Sequence, residues 1–379
     1  MKFSQVKTRF DLMTRPTNKT GFLVGLSIHF LIYATAARVI PFSQYLKHDN
    51  VLFELPRQVV FSRAIRSGDI PLWDPYTYGG APFHGVYTSS LLGIFGFGFA
   101  VLGLVSVSWL GIEALCAGVL AYIGCYLFFD EFDVWTRMIC ALSVSASSFM
   151  MFQTVLNMEG AFSTAAVPWI CLGIKMILSE RNFGMFPFAL GIAIATTSGY
   201  LGLNVLIVYP ISAFLILSLI EGRRRLRMDA IFKVVMGGVL GLIPCSFGLI
   251  ESWRNGQLGG YFERGIDIYA SISPASLRTI VMPVGANGFD LASDGTQITS
   301  LFIPALILSG IGACGIILRR AEMAPRLGAF LLAVLIGVKL PQSLDTLRNQ
   351  LPFVAEVRYR TWIGGCIIFF LIACLSSGL

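Results

Sequence analysis

Long apolar stretches separated by short polar ones set the pattern of this chain. They run over about 21–42, 109–129, 138–156, 163–179, 185–199, 201–220, 231–250, 301–318, 327–340 and 361–379. Most approach the roughly 18–20 residues that carry a helix across a bilayer. Strands of a membrane barrel would instead alternate over about ten residues, and no such alternation is present. The pattern predicts an all-α polytopic membrane protein with about ten transmembrane helices. With no internal repeat or low-complexity linker, residues 1–379 read as a single transmembrane domain.

An eleventh apolar run, 90–107, is resolved by the placement of charge. Lys and Arg favour the cytoplasmic side of a membrane protein. They gather at the N-terminus, in Arg223-Arg224-Arg225-Leu226-Arg227, and at Arg319-Arg320 with Arg326. If 90–107 crossed the membrane, the first two clusters would face opposite sides. With four glycines (Gly93, Gly96, Gly98, Gly103) it is also a weak helix former. We therefore expect an interfacial or re-entrant segment inside a large first extracytoplasmic loop, 43–108. A second large outer loop follows at 251–300, and the acidic turn 130–137 falls on the cytoplasmic side.

The N-terminus shows the layout of a signal peptide, with Lys2, Lys7, Arg9, Arg15 and Lys19 before an apolar run holding Ala34-Thr35-Ala36. That run continues to Phe42, long enough to span, so an uncleaved first helix is expected. Charged residues make up 13% of the chain against 55% hydrophobic, which excludes an ordinary soluble domain. The net charge of +7 follows the inter-helix segments as a topology signal does, so no nucleic-acid partner is expected. All eight cysteines lie in apolar runs without a CxxC pair, which predicts packing residues rather than a disulfide framework or a metal site. No metal is assigned; a divalent cation is allowed but not indicated. Glu113, Lys175, Lys233 and Lys339 lie near span ends and are expected to snorkel. His29 sits deeper, as a functional group or a hydrogen-bonded helix contact.

Candidate chemistry concentrates in the first loop, between His48 and Phe83. Residues 51–66 show an apolar face (Leu52, Leu55, Val59) interrupted by Glu54, Arg57, Gln58, Arg63 and Arg66. A helix at the membrane surface is expected there, its arginines reaching lipid phosphates or serving only as topological charges. Pro71, Pro75 and Pro82 with Gly79-Gly80 force turns, while Trp73, Tyr76, Tyr78 and Phe83 supply rings suited to an interface. His48 and His84 lack clustered partners and read as polar lining.

The order Asp49, Gln58, Gly68-Asp69-Ile70-Pro71-Leu72-Trp73-Asp74-Pro75-Tyr76, Gly79-Gly80-Ala81-Pro82 resembles the first-loop signature of YfhO-like bacterial membrane proteins of the GT-C glycosyltransferase class. Leu351-Pro352 followed by Glu356-Val357-Arg358-Tyr359-Arg360 resembles the family's basic segment before a late helix, with closer arginine spacing. Family members are usually longer than this chain, and the position of Asp74 is often Asn in them, which disfavours Asp74 as an obligatory base.

The resemblance implies a multi-pass protein of the bacterial cytoplasmic membrane, with a cytoplasmic N-terminus. It implies transfer of a sugar from a polyprenyl-phosphate donor to an acceptor glycan, polymer or lipid at the outer face. Such chemistry needs a carboxylate for the acceptor proton and cations for the departing phosphate. Asp49 is the expected base, or equally the N-cap of helix 51–66. Glu159 is the second carboxylate, holding the acceptor or a cation, or simply solvated. Arg358 and Arg360 suit phosphate, or act as interfacial anchors. Arg57, Gln58, Trp73, Asp74, Tyr76 and His84 complete the expected substrate-binding set. Two other functions remain open on sequence alone: a non-catalytic lipid- or partner-binding relative, and a transporter or flippase of lipid-linked sugars.

Overall fold

The computed structural model describes residues 16–35, 50–69, 73–74, 81–82, 93–156, 158–181, 183–198, 201–221, 228–246, 324–337, 342–351 and 363–376. Among them the architecture is helical: α1 (Pro16–Thr35), α2 (Leu55–Arg66), α3 (Ile94–Leu102), α4 (Val107–Phe128), α5 (Val134–Ser145), α6 (Ser148–Leu156), α7 (Met158–Leu178), α8 (Met185–Thr197), α9 (Leu201–Glu221), α10 (Met228–Leu242), α11 (Ala324–Gly337), α12 (Gln342–Asn349) and α13 (Gly364–Ser376). A π-helical turn, Asn50–Glu54, leads into α2. The Pro- and Gly-rich stretch after α2, where turns were expected, contains a two-stranded antiparallel pairing, with Trp73 opposite Pro82 and Asp74 opposite Ala81.

Among the described residues, four helices are long and apolar enough to cross a membrane: Val107–Phe128, Met158–Leu178, Leu203–Ile220 and Met228–Cys245. Five shorter apolar helices coincide with other expected spans: Lys19–Ala34, Val134–Ser145, Met185–Thr197, Ala324–Gly337 and Gly365–Ser376. The expected span 301–318 and the loop 251–300 lie outside the described residues. Among its described residues, the run 90–107 is helical as α3, whose nine residues extend about 14 Å against a hydrocarbon core of about 30 Å, and again only where α4 begins at Val107. Gly103, with φ +73°, ends α3 in the left-handed conformation that glycine adopts without steric cost. The chain then restarts at α4, capped by Ser106, whose side chain accepts from the Trp109 amide.

Because lipid is as apolar as leucine, helices in a membrane associate through close packing and polar bonds more than through the hydrophobic effect. At the α7–α8 contact this is direct. A Cβ on Gly173 would lie 2.5 Å from Phe188 Cα, and one on Gly191 would lie 2.7 Å from the Ile170 nitrogen. Only glycine permits this approach. Outward, α10 exposes Met228, Phe232, Val235 and Val239, a stripe suited to lipid. The main core packs Phe128, Phe129, Phe369 and Phe370 together, with Phe128 and Phe369 ring centroids 5.1 Å apart.

The bundle has two chemically distinct ends. One collects the start of α1 (Gly21 against Val134), the α4–α5 turn, the ends of α7 and α9, and the start of α11 (Gly328 against Leu217). Lys175 there donates to the Phe128 carbonyl at 2.7 Å and to Asp130 at 2.6 Å, and pairs with Glu131. Arg181 reaches Asp130 at 3.0 Å, and Arg326 pairs with Glu131. The acidic turn 130–137 and the basic Arg326 thus share an end, as the topology argument requires. Lys175 does not snorkel to solvent; it is the hub of this ion-paired cluster. The opposite end carries the π turn, α2, α3 and the starts of α4 and α7, and it holds the candidate site.

Midway, His29 is fully buried, with Nδ1 3.1 Å from Ser145 Oγ, and Tyr33 donates to the Ser145 carbonyl at 3.0 Å. Of its two sequence readings, the structure presents the hydrogen-bonded helix contact.

Candidate active site at the loop-bearing end

The helix expected at the membrane surface turns a largely polar face into the protein. Asn50, Glu54, Arg57, Gln58, Phe61 and Ser62 are buried, whereas Leu52 is 64% exposed and Arg63 and Arg66 are exposed. The inward face is polar and the outward face mixes apolar groups with the outer arginines. In water this arrangement would be unfavourable. Against lipid it is the expected one, because a polar group deprived of water needs a protein partner. Arg57 therefore does not reach out to lipid phosphates as the sequence suggested. It points into the protein, 3% exposed.

Asn50, Gln58 and Ser62 are tied to the bundle. The Asn50 carboxamide donates to the Thr154 carbonyl at 3.0 Å and accepts from the Met158 amide at 2.9 Å. It thereby clamps the π turn across the α6–α7 junction and satisfies one of the open amides that every helix start presents. The Gln58 Nε2 donates to Glu113 Oε2 at 2.7 Å and lies 3.5 Å from Glu54 Oε1. Ser62 donates to the Ala100 carbonyl in α3 at 2.6 Å. Hydrogen bonds to a charged partner contribute about 1.5–3 kcal/mol, which makes the Gln58–Glu113 contact the strongest of these when Glu113 is ionised.

Glu113 was missed by sequence reasoning, which expected it to snorkel from a span end. It is fully buried, in the second turn of α4. The available signal was its depth in an apolar run, since an ionisable residue inside a span implies a partner or a function. Glu159 is likewise not solvated: it lies 6% exposed in the first turn of α7, where a carboxylate also complements the helix dipole. Beside it, Gln153 is fully buried and packs over Gly160, a Cβ on which would lie 2.8 Å from Gln153 Cδ. Neither amide atom of Gln153 has a hydrogen-bond partner among the described residues. Deeper along α7, Ser163 bonds Ser198 at 2.6 Å and Asn204 at 3.1 Å, tying α7 to the α8–α9 junction.

Of the expected site residues, the structure brings Arg57, Gln58 and Glu159 to this one end. Trp73 and Asp74 are described as backbone in the paired strands. Asp49, Tyr76, His84, Arg358 and Arg360 lie outside the described residues. Two neighbours of the last pair are informative. Arg348, 2% exposed, donates to the Ile336 carbonyl at 3.1 Å at the far end of α11. Gly365, at the start of α13, packs against the Thr164 side chain. Among the described residues, no group of three or more His, Cys, Asp and Glu could hold a metal ion.

No family model and no curated protein matches this chain. Its fold is similar to that of the arabinofuranosyltransferase AftD from Mycobacteria, with a TM-score of 0.53, 14% identity and 94% of this chain covered. A mutant of the same enzyme matches with a TM-score of 0.51 and 15% identity. The oligosaccharyltransferase of Archaeoglobus fulgidus follows at 0.42 and 16% identity, with 93% of this chain and 50% of that one covered. The AftD likeness is one of fold. The chain spans about a quarter (26%) of the AftD structure's length.

Proposed function

We propose that the chain transfers a sugar from a polyprenyl-phosphate donor to an acceptor glycan, polymer or lipid at the extracytoplasmic face of a bacterial cytoplasmic membrane. One observation carries this reading: the clamp from Asn50 to Thr154 and Met158. It ties the first loop to the start of α7, so that the residue before Asn50 and the residue after Met158 are the two carboxylates Asp49 and Glu159. The AftD fold likeness supports the reaction class.

In this reading Asp49 accepts the proton of the acceptor hydroxyl as its oxygen attacks the anomeric carbon. The bond from that carbon to the phosphate oxygen breaks, and polyprenyl phosphate leaves with the electron pair. Arg57, Arg358 and Arg360 stabilise the phosphate, where guanidinium geometry matches its oxygens. Glu159 holds the acceptor. Gln58, Asp74 and His84 supply polar lining, and Trp73 and Tyr76 supply rings for the sugar faces. The packing of Gly365 on Thr164 supports the arginines' role, because it leads the chain into α13 close to the start of α7.

The test is turnover of radiolabelled polyprenyl-phosphate-linked pentoses and hexoses by membranes carrying the wild-type chain or Asp49→Asn. A general base contributes about a hundredfold to ten-thousandfold. The expected result is a loss of about that size with membrane insertion unchanged. Full activity in Asp49→Asn removes the base assignment.

A further inference from the structure

The inward polar residues of the first loop recur every fourth position: Asn50, Glu54, Gln58 and Ser62, all 5% exposed or less. Side chains four apart in a helix share a face, so these form one stripe running from the π turn through α2. Its bonds fan out to different parts of the bundle. Asn50 holds the α6–α7 junction, Gln58 holds α4, and Ser62 holds α3. At the two ends of the stripe the partners are backbone groups, which no substitution removes. In the middle the partner is a side chain, Glu113.

We propose that Glu113 is a positioning residue for the proposed transfer, fixing the rotation of α2 and through it the entry of the first loop into the site. This deepens the transfer reading and rests on it. Apolar contacts, such as Phe61 with Ala100 of α3 and Leu55 with the cluster around Leu110, hold the loop helix to the bundle without a directional bond to fix its rotation. In an apolar medium the polar bonds decide it. One residue of helix corresponds to 100°, so a slip of one position would carry Gln58 away from Glu113 and leave a fully buried carboxylate without its 2.7 Å donor. Rotation of α2 is in turn transmitted to Asn50, one turn beyond Glu54, and so to the approach of the chain at Asp49. Errors of about 1 Å in the placement of a reacting group cost about a hundredfold in rate, which gives the bond a route into catalysis without touching substrate.

The test compares Glu113→Ala and Glu113→Gln in the full chain, reconstituted in nanodiscs. Hydrogen exchange over residues 50–66 should accelerate in Glu113→Ala and stay near wild type in Glu113→Gln, which keeps an acceptor oxygen for Gln58. Exchange over Met158–Leu178 should not change in either. Unchanged exchange at 50–66 in Glu113→Ala, or loosening that spreads into α7, overturns the proposal. With the radiolabelled polyprenyl-phosphate sugars, Glu113→Ala should lower kcat by about tenfold or more while donor KM moves less than about threefold. Glu113→Gln should recover most of the rate. Loosened exchange with unaltered kcat removes the positioning role. If the wild type turns over none of the donors while the exchange pattern holds, the transfer reading fails and the anchoring of the loop by Glu113 stands.

Discussion

The two ends of the helix bundle hold their acidic groups at different depths and with different neighbours. At one end, Asp130 and Glu131 meet Lys175, Arg181 and Arg326, and both of these carboxylates have at least one cation in direct contact. Phe128 adds to this, with Lys175 Nζ 5.3 Å and Arg326 Cζ 5.8 Å from its ring centroid. At the other end, Glu54, Glu113 and Glu159 are more deeply buried, Arg57 is buried with them, and a carboxamide joins the bonding: Gln58 donates to Glu113 and lies 3.5 Å from Glu54. The first end is built for stability. The second accepts polar groups that cost stability, a pattern characteristic of sites that bind and react.

The largest expected effect lies at the ion-paired end. Lys175→Met removes the donor to the Phe128 carbonyl, Asp130 and Glu131 at once. Breaking a buried pair costs about 3–5 kcal/mol; with these side chains 16–32% exposed, solvent screening reduces that to about 2–3 kcal/mol. Unfolding in mixed micelles should read the loss, and a change below about 0.5 kcal/mol, the range of an exposed pair, would erase the contrast between the ends.

Acid should act at the same end. Burial pushes the Asp130 carboxyl up, but Lys175 and Arg181 outweigh it and hold it below its ordinary value of 3.8. Its contribution to stability is therefore fully present above the unfolded-state pKa and is lost as pH falls through the lower folded value. Asp133 behaves alike, lowered first by the hydrogen bond from Thr136. Thermal stability should fall on acidification below about pH 4, and Asp130→Asn should flatten that fall. An unchanged slope in Asp130→Asn would show that the carboxylate is not the group responsible.

How much of this was legible in the sequence differs between the ends as well. Apolar run length gave the helices, and the basic clusters put the acidic turn and Arg326 on one side of the membrane, without indicating that they would meet. Both signals depend on composition along one segment. The site did not follow so directly, because rotation of a helix is invisible when its two neighbours are lipid and protein rather than water and protein. Leu52, Leu55 and Val59 read as the apolar face of a helix at the membrane surface, which leaves the face turned to the protein unnamed. Under the membrane rule Asn50, Glu54, Gln58 and Ser62 are the inner face, and their four-residue spacing was present all along. Glu113 failed for a related reason: its place near a span end suggested an exit to solvent, while its partner lay fifty-five positions earlier in the chain.

The smallest effect sharpens the contrast from the other side. Gln153 is fully buried, and neither of its amide atoms has a hydrogen-bond partner among the described residues. Replacing it with an apolar group of similar shape, Gln153→Met, should raise stability by about 1 kcal/mol. The same measurement in mixed micelles checks it, and destabilisation would mean that the carboxamide is satisfied and the loop-bearing end is no less optimised than the other.

The central claim is that chemistry belongs to the loop-bearing end through Asp49. Its most direct measurement is turnover of polyprenyl-phosphate sugars by purified protein, set beside thermal stability, for Asp49→Asn and Asp130→Asn. The account predicts that Asp49→Asn loses turnover by about a hundredfold or more at unchanged stability, and that Asp130→Asn loses stability at unchanged turnover per folded molecule. Full turnover in Asp49→Asn, or loss of turnover per folded molecule in Asp130→Asn, would contradict it.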